Sequence, residues 1–143
     1  MKALKTIGFW VLSLTWGLPM TLIGAIIALG CLITGHKPKM FHNSVYFTFG
    51  EGGWGFNCGA FFFLSKDAEI LDMKQHEAGH GIQNIIFGVF MPFIVALPSV
   101  IRFYWREYLV KSGKKKHSDL PPYDSIWFEG MATRWGEKVY PTE

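Results

Sequence analysis

Charge is scarce in this chain. Asp, Glu, Lys and Arg make up 17% of its 143 residues, against roughly 25% in typical soluble domains. Between Ile7 and Thr34 there is no charged residue at all. Half the residues are hydrophobic and the mean hydropathy is +0.19. That profile points to lipid contact more than to a globule surrounded by water. An excess of one sign is lacking too. A net charge of +3 is mild, and no basic helix carries base-reading residues, so nucleic acid is excluded as a partner. The basic groups beside apolar segments fit anionic lipid headgroups better. Cysteine is nearly absent. Cys31 and Cys58 have no CxxC spacing, which excludes a disulfide framework and a thiolate zinc site and leaves two small buried apolar residues. No internal repeat occurs. The glycine-rich stretch Gly50 to Gly55 lacks the following Gly-Lys-Ser/Thr of a phosphate loop.

The length is that of one domain. Residues 7–34 suffice to cross a bilayer, which needs about 20 apolar residues, with Pro19 as a tolerated kink. A signal peptide is the rival reading, but its apolar core runs only about 7–15 residues. The expectation is therefore a transmembrane anchor over 1–35, followed by a membrane-associated domain over 36–143. Val45 to Phe49 reads as a strand, rich in aromatic and β-branched residues, and Phe56 to Leu64 as a second. Together they predict a hairpin. Ser65 or Asp67 is placed to cap a helix beginning near Ala68. That helix continues into the apolar stretch 82–103, broken by Gly88, Pro92 and Pro98. Arg102, Arg106, Lys111 and Lys114 to Lys116 make a solvated or headgroup-facing basic stretch. A last helix is expected over Tyr123 to Val139. The fold class is an α+β membrane protein.

The chemistry lies in His76-Glu77-Ala78-Gly79-His80. Four helical steps of about 100° put both histidines on one face, roughly 6 Å apart along the axis, so one Zn2+ can take both imidazoles. Glu77 then flanks the metal and can take a proton from a water that zinc activates. Gly79 costs about 1 kcal/mol relative to Ala inside a helix, and a small residue there lets another backbone approach. A catalytic zinc usually has a third protein ligand. Glu129 is the best candidate, as the sole acid in the apolar centre of the last helix. Asp124, Asp119 and His117 are less favoured. The competing readings of Glu129 are a surface acid or an ion pair with Arg102 or Arg106. His36 and His42 read as solvated.

The pattern of His76, Glu77 and His80 followed by a glutamate on a later helix resembles the gluzincin metallopeptidases. Trp127-Phe128-Glu129-Gly130-Met131-Ala132 is similar to the Glu-Gly-x-Ala stretch of some of them. The resemblance implies a zincin-like active-site helix, with His76, His80 and Glu129 as ligands and Glu77 as general base. It also implies a strand before that helix to which a peptide substrate adds. Gly59, Ala60, Phe61 and Phe62 match that strand. His117, Tyr123 and Tyr140 are the candidates for stabilising an oxyanion. From about residue 45 to 136 the chain also resembles small bacterial membrane proteins with His-Glu-x-Gly-His-x-x-Gln, here His76 to Gln83. The ligands flank 82–103, so that stretch is expected to be embedded without crossing. The basic residues then favour a site on the cytoplasmic side of a bacterial inner membrane. The expected function is a membrane-bound zinc metallopeptidase acting on a peptide or membrane-protein substrate. The alternative is a non-catalytic protein whose zinc clamps two helices and which serves as an interaction subunit.

Overall fold

The computed structural model describes residues 1–143 and is α+β, with five helices and a small mixed sheet. Helix α1 covers Lys2–Leu14 and α2 covers Leu18–Ile33. Strands β1 (Lys39–Phe41), β2 (Ser44–Thr48), β3 (Gly55–Cys58) and β4 (Phe61–Leu64) follow. Helix α3 covers Leu71–Phe87, α4 covers Leu97–Lys111 and α5 covers Trp127–Val139.

The expected hairpin between 45–49 and 56–64 does not form. The second run is two strands, because Gly59 turns the chain at a φ of 70° with its α-carbon pressed against Thr21. A β-carbon there would collide with Thr21, so glycine is required twice over. The hairpin is β3–β4, and β2 lies parallel to β4, giving the order β1-β2-β4-β3. Alternation then sorts the aromatic runs onto two faces. Tyr46, Phe62 and Leu64 meet Ala78 of α3, with Leu71, Met73 and Ile82 packed around them. Phe47 and Phe63 meet Met20, Ala28 and Cys31 of α2. The sheet is thus covered by α2 on one face and α3 on the other, and residues 1–35 share a core with the rest of the chain. Both cysteines are buried and free.

The N-terminal apolar run is not one straight helix. It breaks at Thr15–Gly17, and α1 and α2 meet at 95°. The Trp16 indole donates to the Ile86 carbonyl and Asn84 donates to the Gly17 carbonyl, so α3 fixes the bend. No single helix is long and apolar enough to cross a membrane. The second apolar stretch also bends. After α3 come a 3-10 turn at Gly88–Phe90 and a π-helical turn at Pro92–Ala96, and the two legs meet at 115°.

Helix α3 starts at Leu71, later than expected, with no side-chain cap, because Lys66–Ala68 form a separate 3-10 turn. Asp67 instead accepts from the Gly52 amide and pins the glycine-rich loop. Helix α5 crosses α3 at backbone contact. A β-carbon on Gly79 would collide with the Ala132 carbonyl, and one on Gly136 with the Gln75 carbonyl. The close approach expected at Gly79 is therefore made by the helix that carries Glu129.

Candidate metal centre

Two helices supply the site, each with residues one turn apart. His76 and His80 lie on α3, and Glu129 and Thr133 lie on α5. Because the helix axes are held so close by Gly79 and Gly136, these side chains meet directly. His76 Nε2 lies 3.1 Å and His80 Nε2 3.0 Å from the same oxygen, Glu129 Oε2. Glu129 is 0% exposed and His80 6%. The competing readings of Glu129 as a surface acid or an arginine partner do not hold. Arg102 and Arg106 instead donate to the carbonyls of Pro121, Pro122 and Tyr123. Asp124, Asp119 and His117 do not join the cluster.

The outer hydrogen bonds orient both rings. Gln83 donates its amide to the Phe128 carbonyl at 2.7 Å, which leaves Gln83 Oε1 to face His80 Nδ1 at 2.7 Å. His80 must therefore donate from Nδ1. Thr133 donates to the Glu129 carbonyl, so its oxygen accepts from His76 Nδ1 at 2.9 Å. Each ring has its Nδ1 proton committed, and Nε2 is the nitrogen turned inward. Two Nε2 atoms, each about 3 Å from one carboxylate oxygen and all within 4.8 Å of one another, carry lone pairs, as does that oxygen. Something positive must lie among them, either protons on the imidazoles or one metal ion. Two ligand atoms at about 2.0–2.1 Å from a tetrahedral zinc stand about 3.3 Å apart, so the spacing fits. The donor set of two nitrogens and one oxygen also suits zinc. Burial pushes the Glu129 carboxyl up, but hydrogen bonds from His76 and His80, the charge of His80 and the bond from Ser99 hold it well below the usual range.

Glu77 lies beside this cluster and is 3% exposed. Its Oε2 has no hydrogen-bond partner. Burial pushes its carboxyl up to about 7, against the charge of His76 and with that of Glu129. The carboxyl also faces β3. A β-carbon on Gly55 would stand 2.8 Å from Glu77 Oε1, and Asn57 donates to the Glu77 carbonyl at 2.9 Å.

The strand assignment taken from the resemblance needs correction. Gly59 and Ala60 form a turn, and Ala60 and Phe62 are 0% exposed. Phe61 and Phe62 lie in β4, which has β2 on one side and β3 on the other. All its backbone groups face neighbours, so no peptide can add to it. The strand with an open edge beside Glu77 is β3, Gly55–Cys58. Burial and then the charge of Glu77 push the Cys58 thiol up to about 12, and Cys58 does not join the cluster of His76, His80 and Glu129.

Of the oxyanion candidates, Tyr140 is buried with its hydroxyl on Asn43, and His117 is exposed in the linker. Tyr123 reaches the site through Ser99, whose hydroxyl contacts Glu129 Oε1. Gln83, Thr133, Asn57 and Ser99 were assigned no role from sequence. Helical spacing was the available signal for the first two, at His80+3 and Glu129+4. For Ser99 the signal was the Pro98-Ser99 pair that the small bacterial membrane proteins share, and for Asn57 there was none. No family model, curated protein or solved structure matches this chain.

Proposed function

We propose that this chain is a membrane-bound zinc metallopeptidase of the gluzincin kind. The observation that carries the reading is the convergence of His76 Nε2, His80 Nε2 and Glu129 Oε2 beside the unpartnered Oε2 of Glu77. A zinc ion held by those three atoms supplies Lewis acidity and lowers the pKa of water toward about 7. The chain's own groups do the rest. Glu77, with a carboxyl near 7, is suited to accept a proton at Oε2 from the attacking water and to return it to the departing amine. Gln83 and Thr133 hold the imidazoles in the required tautomer. β3 is an edge strand whose outer backbone groups suit an extended peptide, and Gly55 lets that strand lie close against Glu77.

The bilayer is the second part of the proposal. Ile7, Val11, Leu22, Ile26 and Leu29 are exposed on the first bent pair, and Phe90, Phe93, Leu97, Ile101 and Tyr104 on the second. Apolar surface on this scale marks an interaction site. With 13 and 16 residues, α1 and α2 extend only about 20 and 24 Å, short of a hydrocarbon core of about 30 Å. The first bent pair is therefore read as entering and leaving one leaflet, and on the second only the apolar residues 90–104 are read as dipping into it, since α3 carries the buried polar site. Lys2 and Lys5 then share a side with the basic stretch 102–116, and the positive-inside rule favours the cytoplasmic face of a bacterial inner membrane.

The clamp reading keeps one observation in its favour. The ligands come from two helices already in backbone contact, which a metal would lock together. Glu77→Gln separates the two. It keeps the size of the side chain but removes the base. We expect it to retain one zinc per chain and its fold while losing hydrolysis of membrane-associated peptides. Unchanged hydrolysis refutes the mechanism. A parent that holds zinc tightly and cleaves nothing across a broad peptide library supports the clamp.

A further inference from the structure

Helix α4 has no buried residue, and Val100, Ile101, Tyr104, Trp105 and Tyr108 line an open apolar groove on it. It is nevertheless fixed to the site by polar side chains on its opposite face. Arg102 and Arg106 bind the carbonyls of 121–123 and lie over the Tyr123 ring, 5.7 and 5.5 Å from its centre. Ser99, in the first turn of α4, reaches Glu129 Oε1. An ionised carboxylate only accepts, so the Ser99 hydroxyl donates to it. That commits the one proton Ser99 has. The Tyr123 hydroxyl, 3.3 Å away, is therefore the donor to Ser99. The result is a directed chain from Tyr123 through Ser99 to Glu129 Oε1, with Oε2 turned to His76 and His80.

We propose that Ser99, backed by Tyr123, is a positioning residue that occupies one oxygen of Glu129 so that the carboxylate ligates the metal through the other alone. This role rests on the metal-centre reading above. A carboxylate free at both oxygens can bind through both, which crowds the open position that a catalytic zinc keeps for substrate or water. The Ser99 hydroxyl removes that option. It also makes the site depend on where α4 lies, since Ser99 is the direct link between the lipid-facing helix and a ligand.

The test uses the full chain in lipid nanodiscs, comparing the parent with Ser99→Ala, Ser99→Thr, Tyr123→Phe and the Ser99→Ala/Tyr123→Phe double variant. Zinc affinity is measured by chelator competition, and ligand number by the visible absorption of the cobalt-loaded protein. Ser99→Ala is expected to loosen zinc by about 10–100-fold, the usual cost of losing an outer partner. Its cobalt bands should weaken, as they do when coordination number rises. Ser99→Thr keeps the hydroxyl and should restore affinity and spectrum. Tyr123→Phe should cost less, and nothing further in the double variant, because Tyr123 acts only through Ser99. If Ser99→Ala proves too unstable to measure, Tyr123→Phe decides the point: it should loosen zinc and weaken the cobalt bands, and parent-like values for it overturn the role. Parent-like affinity and spectrum in Ser99→Ala overturn this role alone, as does a Tyr123→Phe loss that adds in full. A parent that holds no metal overturns both this role and the metal centre.

Discussion

At the scale of single residues, two glutamates in one cluster have opposite charge preferences. Glu129 is surrounded by donors from three directions and is held as an anion. Glu77 is as deeply buried but has an oxygen with no partner, and its carboxyl rises to about 7. A raised carboxyl stabilises the fold below its unfolded value and loses that contribution as pH climbs through the folded one. For Glu77 the window is from about 4.5 to about 7. In metal-free protein, Glu77→Gln is therefore expected to melt higher than the parent at pH 8, with the gap closing at pH 5. A constant gap across that range would show that Glu77 does not titrate there. Glu129→Gln is expected to do the reverse job of Glu77→Gln with respect to metal. It removes the charged ligand, so zinc retention falls by well over tenfold in chelator competition. Equal retention would exclude Glu129 from the ligand set.

At the scale of elements, the contact between α3 and α5 decides whether a site exists. Two glycines set it, one on each helix, each facing a backbone carbonyl of the other. Helix propensity alone favours alanine over glycine by about 1 kcal/mol. Overpacking opposes it by about 1–3 kcal/mol or more where backbone must move. Backbone cannot give way like a side-chain tip, so overpacking wins here. Gly79→Ala and Gly136→Ala are expected to destabilise the chain in thermal or denaturant unfolding, and to weaken metal binding by moving α5 away. Gly8→Ala and Gly30→Ala sit in helices with nothing near the added carbon, and should be neutral or slightly stabilising. A Gly79→Ala variant as stable as Gly30→Ala would show that the helices are not in backbone contact.

At the scale of the whole molecule, exposed apolar residues gather on α1, α2 and residues 90–104, while the polar cluster lies between α3 and α5. If these apolar segments enter and leave one leaflet, every hydrophilic segment lies on one side. Single cysteines at the exposed positions Lys5, Glu51 and Lys115 should all react with an impermeant thiol reagent from the cytoplasmic side only. Labelling of Lys5 from the opposite side would restore a crossing N-terminal segment. Opposite labelling of Glu51 and Lys115 would place the two halves of the metal centre across the bilayer and refute it.

The amino-acid sequence by itself determined which residues make up the candidate site. The His76–His80 spacing follows from the helical period, and Glu129 stood out as a lone acid among apolar neighbours, so the three residues that converge were legible in the sequence. So were the scarcity of charge and the breaks near Gly88 and Pro92, because both are local properties of composition and backbone. What was not legible depends on contacts between distant segments. The hairpin from 45–49 to 56–64 failed because a single glycine pressed against Thr21 split the second run, and strand partners are chosen by which faces find a core. The strand expected to take a peptide, Gly59–Phe62, proved to be a turn and the central β4 for the same reason, since edge or centre is a property of the sheet and not of the strand. The bend at Thr15–Gly17 depends on Asn84 and Ile86 of α3, some 70 residues later. Ser99 and Tyr123 reach Glu129 only because the bend at 88–96 brings the first turn of α4, and the linker its arginines hold, to that carboxylate. Periodicity reports on neighbours three or four residues apart, whereas these positions are set by packing that only the closed tertiary structure supplies.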